Sequence, residues 1–132
     1  RSELAGKGNG AGYGGANVNR EGDVITCQKC SFTGNQASQD GGATYEDYGS
    51  HVSYEQARFT ANSARHQGGA IYEISRASQL EATIVGVNKS AFVKNKARDG
   101  ASIYNLDGST LTITNSTYPA KTVYSRTPSE SK

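Results

Sequence analysis

The chain of 132 residues lacks several residue types on which common folds and sites depend. It contains no Trp and no Met, and only two Pro, two Cys and two His. No apolar run approaches the roughly 20 residues that a membrane-spanning helix needs. Because Met is absent even at position 1, we expect a processed product or a fragment from which a targeting segment has been removed.

The net charge of the chain is also small. Fourteen Lys and Arg against twelve Asp and Glu give a net charge of +2, too small to favour nucleic acid or an anionic membrane as a partner. The densest basic stretch, Lys89 to Arg98, contains a single aromatic residue, Phe92. This pattern indicates a solvated face rather than a phosphate-binding patch, so we expect no nucleic-acid partner and no membrane insertion.

The two cysteines form one short motif, Cys27-Gln-Lys-Cys30. A zinc site needs about four ligands, and His51 and His66 lie too far along the chain to complete one. No helical pattern follows the motif, as a thioredoxin-like redox site would require. We therefore expect a local disulfide or two free thiols, with no metal and no cofactor.

Internal repeats dominate what is present. Three segments share the pattern Phe-x-x-Asn-x-Ala, and a corner of small residues and a short strand follow each of them: 30–37 with 41–45, 57–64 with 68–72, and 90–97 with 100–104. Weaker copies flank these three segments. The asparagines that anchor the copies stand 26, 27, 33 and 20 residues apart: Asn9, Asn35, Asn62, Asn95 and Asn115. Five repeats of about 26 residues are therefore visible.

A period of this length, with short β-rich pieces and no helical periodicity, predicts an all-β parallel β-helix in which each repeat forms one rung. Equivalent residues of successive rungs then stack about 4.8 Å apart. Two ladders follow, an interior one of aromatic rings and one of asparagines at left-handed turn positions. Their members are Phe32, Phe59 and Phe92, and Asn35, Asn62 and Asn95.

The repeats predict a single domain over residues 1–126. It comprises a Gly-rich first rung at about 5–26, regular rungs at about 27–109 and a last rung at about 110–126, followed by a polar tail at 127–132. The 33-residue step places its extra residues within 73–88, where we expect a loop to leave the stack.

The pairing of Phe59-Thr-Ala-Asn62 with Gly68-Gly69-Ala70-Ile71 resembles the repeats of chlamydial polymorphic outer membrane proteins and related surface proteins of the pectin-lyase-like class. The resemblance covers about residues 30–104. It implies a right-handed, single-stranded parallel β-helix of about five rungs and a location outside the cell or on its surface. Such folds host adhesins, structural proteins, polysaccharide lyases and ice-binding proteins alike.

Two columns of the repeat are candidate ligand-binding positions. The first column is aromatic and follows the glycine corner: Tyr45, Tyr72, Tyr104 and Tyr124. We expect it to face outward as a strip that stacks on sugar rings or on a partner, because the β-branched column beside it suits the interior better. An inward, core position is the alternative.

The second column is acidic. Glu46 and Glu73 on adjacent rungs could share a proton, hold Ca²⁺ or act as an acid/base pair. A lyase needs a denser acidic cluster with a nearby base, and Asp40, Glu46 and Asp47 with Arg65 or Arg76 form only a loose one. We therefore assign no catalytic residue. An ice-binding face needs a regular Thr array, and the threonines at 110, 112 and 114 alternate on one strand only.

Two glycosylation sequons are present, Asn88-Lys-Ser90 and Asn115-Ser-Thr117. We expect Asn88, in the inserted loop, to be the better acceptor. Asn115 is expected to be held in the asparagine ladder.

Neither end of the chain shows an amphipathic helix that could cap a stack of rungs. Open terminal rungs predict end-to-end association of copies into a filament or surface layer. The sequence therefore favours a non-enzymatic extracellular structural or adhesive protein whose partners are copies of itself, with surface glycans as a second candidate partner. The alternatives are a carbohydrate-binding or polysaccharide-cleaving β-helix and, second, an ice-binding protein.

Overall fold

The computed structural model describes residues 2–5, 17–19, 24–46, 51–74, 83–106 and 109–126. These residues form fifteen strands joined by turns, and none of them is helical. In chain order the strands are β1 Ser2–Ala5, β2 Asn17–Asn19, β3 Val24–Gln28, β4 Cys30–Thr33, β5 Gln36–Ala37, β6 Thr44–Glu46, β7 His51–Glu55, β8 Arg58–Thr60, β9 Ser63–Ala64, β10 Ile71–Ile74, β11 Ile84–Asn88, β12 Ala91–Val93, β13 Ile103–Leu106, β14 Thr110–Thr114 and β15 Val123–Arg126. The expectation of an all-β chain is confirmed for the described residues.

Every strand pairs in parallel with the strand one repeat away. Sheet A has the order β1-β4-β8-β12, sheet B β2-β6-β10-β13-β15, and sheet C β3-β7-β11-β14, while β5 and β9 form a short fourth sheet. The chain passes from sheet C to sheet A to sheet B and then returns to sheet C. This order and the parallel pairing agree with the architecture of a parallel β-helix.

The three regular repeats stack in the register that the sequence predicts. Phe59 lies between Phe32 and Phe92 in sheet A, and Tyr72 lies between Tyr45 and Tyr104 in sheet B. The segment that holds the extra residues of the 33-residue step is shorter than the expected loop at 73–88. They fall between β10 and β11, because Glu73 and Ile84–Asn88 belong to strands, and residues 75–82 lie outside the described part.

The last repeat has a different register from the one expected. Thr117 bridges to Ala91, and the backbone N–H of Lys89 bonds to the carbonyl of Thr114. Asn115 therefore occupies the position of Lys89 and does not extend the asparagine ladder. This copy has neither the Phe nor the glycine pair that fixes the others, so its register follows the pairing of β14 with β11. Asn9, the other flanking anchor, lies outside the described residues.

Three kinds of corner carry the chain around each turn, each with left-handed backbone. At the first corner the left-handed residues are Lys29, Gln56, Lys89 and Asn115. At the second corner they are Gly34, Ala61 and Lys94, and at the third corner they are Gly41, Gly68 and Gly100. At the second corner the left-handed residue precedes the ladder asparagine in each of the three regular repeats. The expectation that the ladder asparagines themselves are left-handed is therefore wrong.

The glycine pair of the third corner has two separate steric causes. Gly68 has φ 70°, a conformation that side chains rarely adopt. A Cβ on Gly69 would lie 2.1 Å from the carbonyl oxygen of Ala101 on the next rung. The pair thus combines a turn requirement with close stacking of backbones.

The core is a column of rings flanked by β-branched side chains. Phe59 stacks on Phe32 at a centroid distance of 4.8 Å and on Phe92 at 4.6 Å, with the rings within 3° of parallel. Tyr54 packs its edge against Phe59 at 5.1 Å. Fully buried Ile71 and Ile103 from sheet B complete the same cluster, so apolar burial runs continuously along the axis.

The asparagine ladder lies beside this core. The Nδ2 of Asn35 donates to Oδ1 of Asn62, and Nδ2 of Asn62 donates to Oδ1 of Asn95, each at 3.0 Å. Backbone N–H groups of Asn35 and Asn62 donate to the same oxygens at 3.0 and 2.9 Å. The ladder therefore satisfies buried amides from rung to rung.

Candidate functional site

A disulfide joins Cys27 and Cys30 across the first corner, with their Cα atoms 5.9 Å apart. Next to it is a surface hollow of about 240 Å³, lined by Lys29, Cys30, Ser31, Gln56 and Arg58. The described residues contain no group of three or more His, Cys, Asp or Glu placed to hold a metal ion. The disulfide therefore forms a local crosslink between β3 of sheet C and β4 of sheet A.

The tyrosine column points away from the phenylalanine core yet is largely buried. Tyr45, Tyr72 and Tyr104 form a hydrophobic cluster of their own, separate from the main core. Their rings stack at 5.0 and 5.5 Å, and Tyr124 continues the stack at 4.6 Å. Only Tyr124, at 38% exposure, offers much ring surface, whereas the other three are at most 6% exposed. The expected outward phenolic strip thus reduces to one ring.

The two glutamates lie inside the stack. Glu46 follows Thr44 by two residues, so the alternation of a strand places both on the interior face, and both are fully buried. The Tyr54 hydroxyl donates to Oε2 of Glu46 at 2.8 Å. The Thr44 hydroxyl donates to Oε1 at 3.1 Å. Glu46 is therefore well supplied with donors in the interior.

Glu73 pairs with Glu46 in the next rung and is equally buried. Neither of its carboxyl oxygens has a hydrogen-bond partner with good geometry among the described residues. Burial raises the pKa of Glu73 well above its ordinary value, and the neighbouring charge of Glu46 raises it further. The backbone of Val85 lowers this pKa, but by less than either of these two effects raises it.

The polar column continues beyond the carboxyls. Asn105 pairs with Glu73 on the following rung and accepts a hydrogen bond from the Ser109 hydroxyl.

Burial also raises the pKa of Tyr54 well above its usual value, with the charge of Glu46 as the next cause. Because Glu46 and Glu73 are fully buried, they face the core and not a surface at which a polymer could bind.

The described members of the loose acidic cluster, Asp40, Glu46 and Arg65, do not share one surface. Asp40 bridges to Gln67 through its backbone, and burial raises the pKa of its carboxyl, opposed by His66. Arg65 is exposed on the turn after β9. Asp47 and Arg76 lie outside the described residues.

The threonines of β14 do face outward, since Thr110, Thr112 and Thr114 are exposed. The residues beside them in β11 are Ile84, Gly86 and Asn88. A regular array of threonines is therefore confined to this one strand of sheet C.

The two sequons differ in setting. Asn88 ends strand β11 rather than lying in a loop. Its Nδ2 donates to Glu55 at 2.7 Å, and its Oδ1 accepts from the Thr114 hydroxyl at 2.8 Å. The hydroxyl of Ser90 is buried and bonded to the carbonyl of Asn88 at 3.0 Å. Asn115 is exposed at a corner, so the structure makes it the more accessible of the two.

The interior columns of sheet C open at both ends of the described stack. Val52 and Val85 are at most 2% exposed, whereas Ile25 and Leu111, the first and last members of the same column, are only partly buried. The neighbouring column repeats this gradient, with Cys27 and Ile113 partly buried at its ends. These two terminal rungs are the candidate functional surfaces, which we call the β3 end and the β14 end.

Tyr54 is a residue of the interior polar group that the repeat pattern does not single out. Strand β7 alternates between interior and exterior positions, with Val52 and Tyr54 buried, and that alternation is a signal for an inward ring. Its hydroxyl meets Glu46 from a different sheet, however, and no spacing along the chain indicates that contact.

Comparison with known proteins supports the expected resemblance. Residues 29–45 match the family model of the Chlamydia polymorphic membrane protein repeat. No curated protein and no solved structure matches the chain. Among the described residues there is no helix long and apolar enough to cross a membrane. Over these residues the chain therefore resembles these repeats in sequence, and the match favours a protein of surface or outer-membrane type.

Proposed function

We propose that this chain is a non-enzymatic, extracellular or cell-surface module with a structural or adhesive role, and that copies of it stack end to end. We further propose that the stack is a right-handed β-helix of about five rungs. The family match supports a surface role, since the family is described as a membrane protein repeat and not as an enzyme. The burial of Glu46 and Glu73 supports the non-enzymatic assignment.

The observation that carries the stacking proposal is the partial exposure of the core at both terminal rungs. At the β14 end Leu111, Ile113 and Val123 pack against the core but keep exposed surface. In the described residues β14 pairs only with β11, and β3 only with β7. An open strand edge above exposed apolar side chains favours addition of another parallel rung.

The two ends also match column by column, which favours a second copy as the added rung. Docking β3 of one copy on β14 of another would set Ile25 on Leu111 and Cys27 on Ile113, continuing the interior columns. On the outer face Gln28 would follow Thr114, extending the polar series of Glu55, Asn88 and Thr114. This contact joins unlike ends, so it repeats without closing into a ring.

A complementation experiment tests the proposal. Ile25→Lys places a charge at the β3 end, and Ile113→Lys places one at the β14 end. We expect the unmodified chain to form oligomers in a light-scattering mass measurement, and each variant alone to remain at the 13.9 kDa monomer mass. An equimolar mixture of the two variants should form dimers, because each retains one intact and complementary end.

Thr112→Lys is the matched control, because Thr112 is exposed on the side of the stack and not at its interior. It should assemble as the unmodified chain does, into fibres with an axial repeat of roughly 24 Å for five rungs of about 4.8 Å. A purely monomeric unmodified chain, or a mixture of the two end variants that stays monomeric, would refute end-to-end stacking. Binding of surface glycans remains a prediction that depends on Tyr124.

A further inference from the structure

The interior of the stack contains two carboxyl groups on adjacent rungs. Glu46 and Glu73 are register partners in sheet B, and both side chains are 0% exposed. Strands in a sheet are about 4.8 Å apart, so the two side chains leave the backbone at that separation. Two carboxylates this close in a water-poor interior cannot both ionise without a large electrostatic cost.

Among the residues that the structure describes, no buried positive charge offsets them. The buried polar and charged residues of the described part are Ser31, Asn35, Thr44, Glu46, Asn62, Glu73, Thr83, Ser90, Ser102, Asn105 and Ser109. No Lys, Arg or His is among them. The group that reaches the pair from β7 is the Tyr54 hydroxyl, and the column continues to Asn105 in β13. Apart from the two glutamates themselves, all of these groups are neutral.

The two carboxyls differ in how their charge is stabilised. Glu46 accepts hydrogen bonds from Tyr54 at 2.8 Å and from Thr44 at 3.1 Å. Glu73 has no hydroxyl donor of this kind among the described residues, and the backbone of Val85 is the group that favours its charged form. Hydrogen bonds to a carboxylate favour its charged form, so Glu46 is the better site for the negative charge and Glu73 the better site for a proton.

We infer that Glu46 and Glu73 hold one proton between them, and that this buried pair makes the fold more stable in mild acid than at neutral or alkaline pH. Below the ordinary pKa of a glutamate, 4.5, Glu73 is protonated in both the folded and the unfolded chain. As the pH rises above that value, the unfolded chain releases the proton while the folded chain retains it. Stability therefore falls with rising pH until the folded pair also ionises.

The test is the pH dependence of urea unfolding between pH 4.5 and 8.5. Because burial also raises the pKa of Asp40, all variants are made in an Asp40→Asn background. We expect the unfolding equilibrium constant of the parent to rise with pH, by up to tenfold per unit for the one retained proton. Glu73→Gln, which mimics the protonated side chain, should flatten this dependence and unfold less readily than the parent at pH 8.

Glu55→Gln is the matched control, because Glu55 is a partly exposed carboxylate on the outer face of sheet C. It should keep the slope of the parent. A parent whose stability is constant or increases with pH would overturn the inference, and so would a Glu73→Gln variant with an unchanged slope. Stabilisation of the parent by millimolar Ca²⁺ at pH 8, lost in Glu73→Gln, would also overturn it, since the pair would then bind a cation.

A direct measurement covers the case in which Glu73→Gln fails to fold. Carbon-13 NMR of the glutamate side-chain carboxyls in the parent follows the protonation of each group. One interior carboxyl that stays protonated above pH 6 supports the shared proton. Two interior carboxyls that both ionise near pH 4.5 refute it. Neither outcome depends on whether copies of the chain stack.

Discussion

Replacing Asn62 with Ala is expected to be among the most damaging single changes in this chain. Asn62 is fully buried at the centre of the asparagine ladder. Its Oδ1 accepts two hydrogen bonds from Asn35, at 3.0 Å each, and its Nδ2 donates to Asn95 at 3.0 Å and to the carbonyl of Phe32 at 2.9 Å. Alanine removes all four of these bonds from buried groups on the two neighbouring rungs, although the backbone N–H at position 62 still donates to Oδ1 of Asn95.

The magnitude follows from the number of bonds and their burial. At about 1 kcal/mol of net stability for each hydrogen bond, four losses amount to about 4 kcal/mol, and unsatisfied buried partners increase that figure. Asn88→Ala is the matched comparison, because Asn88 makes two side-chain hydrogen bonds on the outer face. Water replaces those bonds after the substitution, so we expect a loss of about 1 kcal/mol or less.

The assay is urea unfolding followed by far-ultraviolet circular dichroism, supported by tyrosine fluorescence because the chain has no Trp. A loss of about 4 kcal/mol is a large share of the 5–15 kcal/mol typical of a domain, so Asn95→Ala provides a milder variant at the partly exposed end of the ladder. We expect the loss to increase from Asn88 to Asn95 to Asn62. Equal losses at Asn62 and Asn88 would refute the ladder as a main source of stability.

Three further predictions concern the corners and the sequons. Gly69→Ala should prevent stable folding, as followed by circular dichroism, because the added Cβ would lie 2.1 Å from a carbonyl oxygen. Gly86→Ala is the control, because a Cβ there meets nothing within 4 Å, and its melting temperature should stay within a few degrees of that of the parent. The intact mass of the untreated chain should be 2 Da below that of the reduced chain, and reduction should cost about 2 kcal/mol because the closed loop is short; an unchanged mass would contradict the disulfide. In a eukaryotic secretory host, glycopeptide mapping should find sugar on Asn115 and little on Asn88, and the reverse pattern would contradict the burial of Ser90.

The parts of the fold that the sequence predicted are those in which one residue type recurs at a fixed period. Phe32, Phe59 and Phe92 align in sequence and stack in space, because identical rings favour the same position on successive rungs. The C-terminal copy has no such marker, so the repeat period alone assigns Asn115 to the wrong column. Strand pairing fixed its true position, through contacts of β14 that no local pattern reveals.

The candidate site shows the same division. The adjacency of Glu46 and Glu73 was predictable, since both follow the same corner and the period sets the rung. Their inward direction also follows from strand alternation once Thr44 and Ile71 are taken as interior. The burial of Tyr45 and Tyr72 was not predictable, because alternation places them on the outer face, where exposure depends on what covers the sheet.

By itself, the sequence determined the period, the parallel strands, the glycine corners and the columns of like residues, because a repeat translates directly into a stack. Only the tertiary structure decided that Tyr54 reaches Glu46 from another sheet, that Glu73 lacks an equivalent donor, and that Asn115 leaves the ladder. Those features depend on distances across the interior, between residues that different turns of the chain bring together. A one-dimensional period fixes which rung a residue occupies, but not which side chains meet across the core.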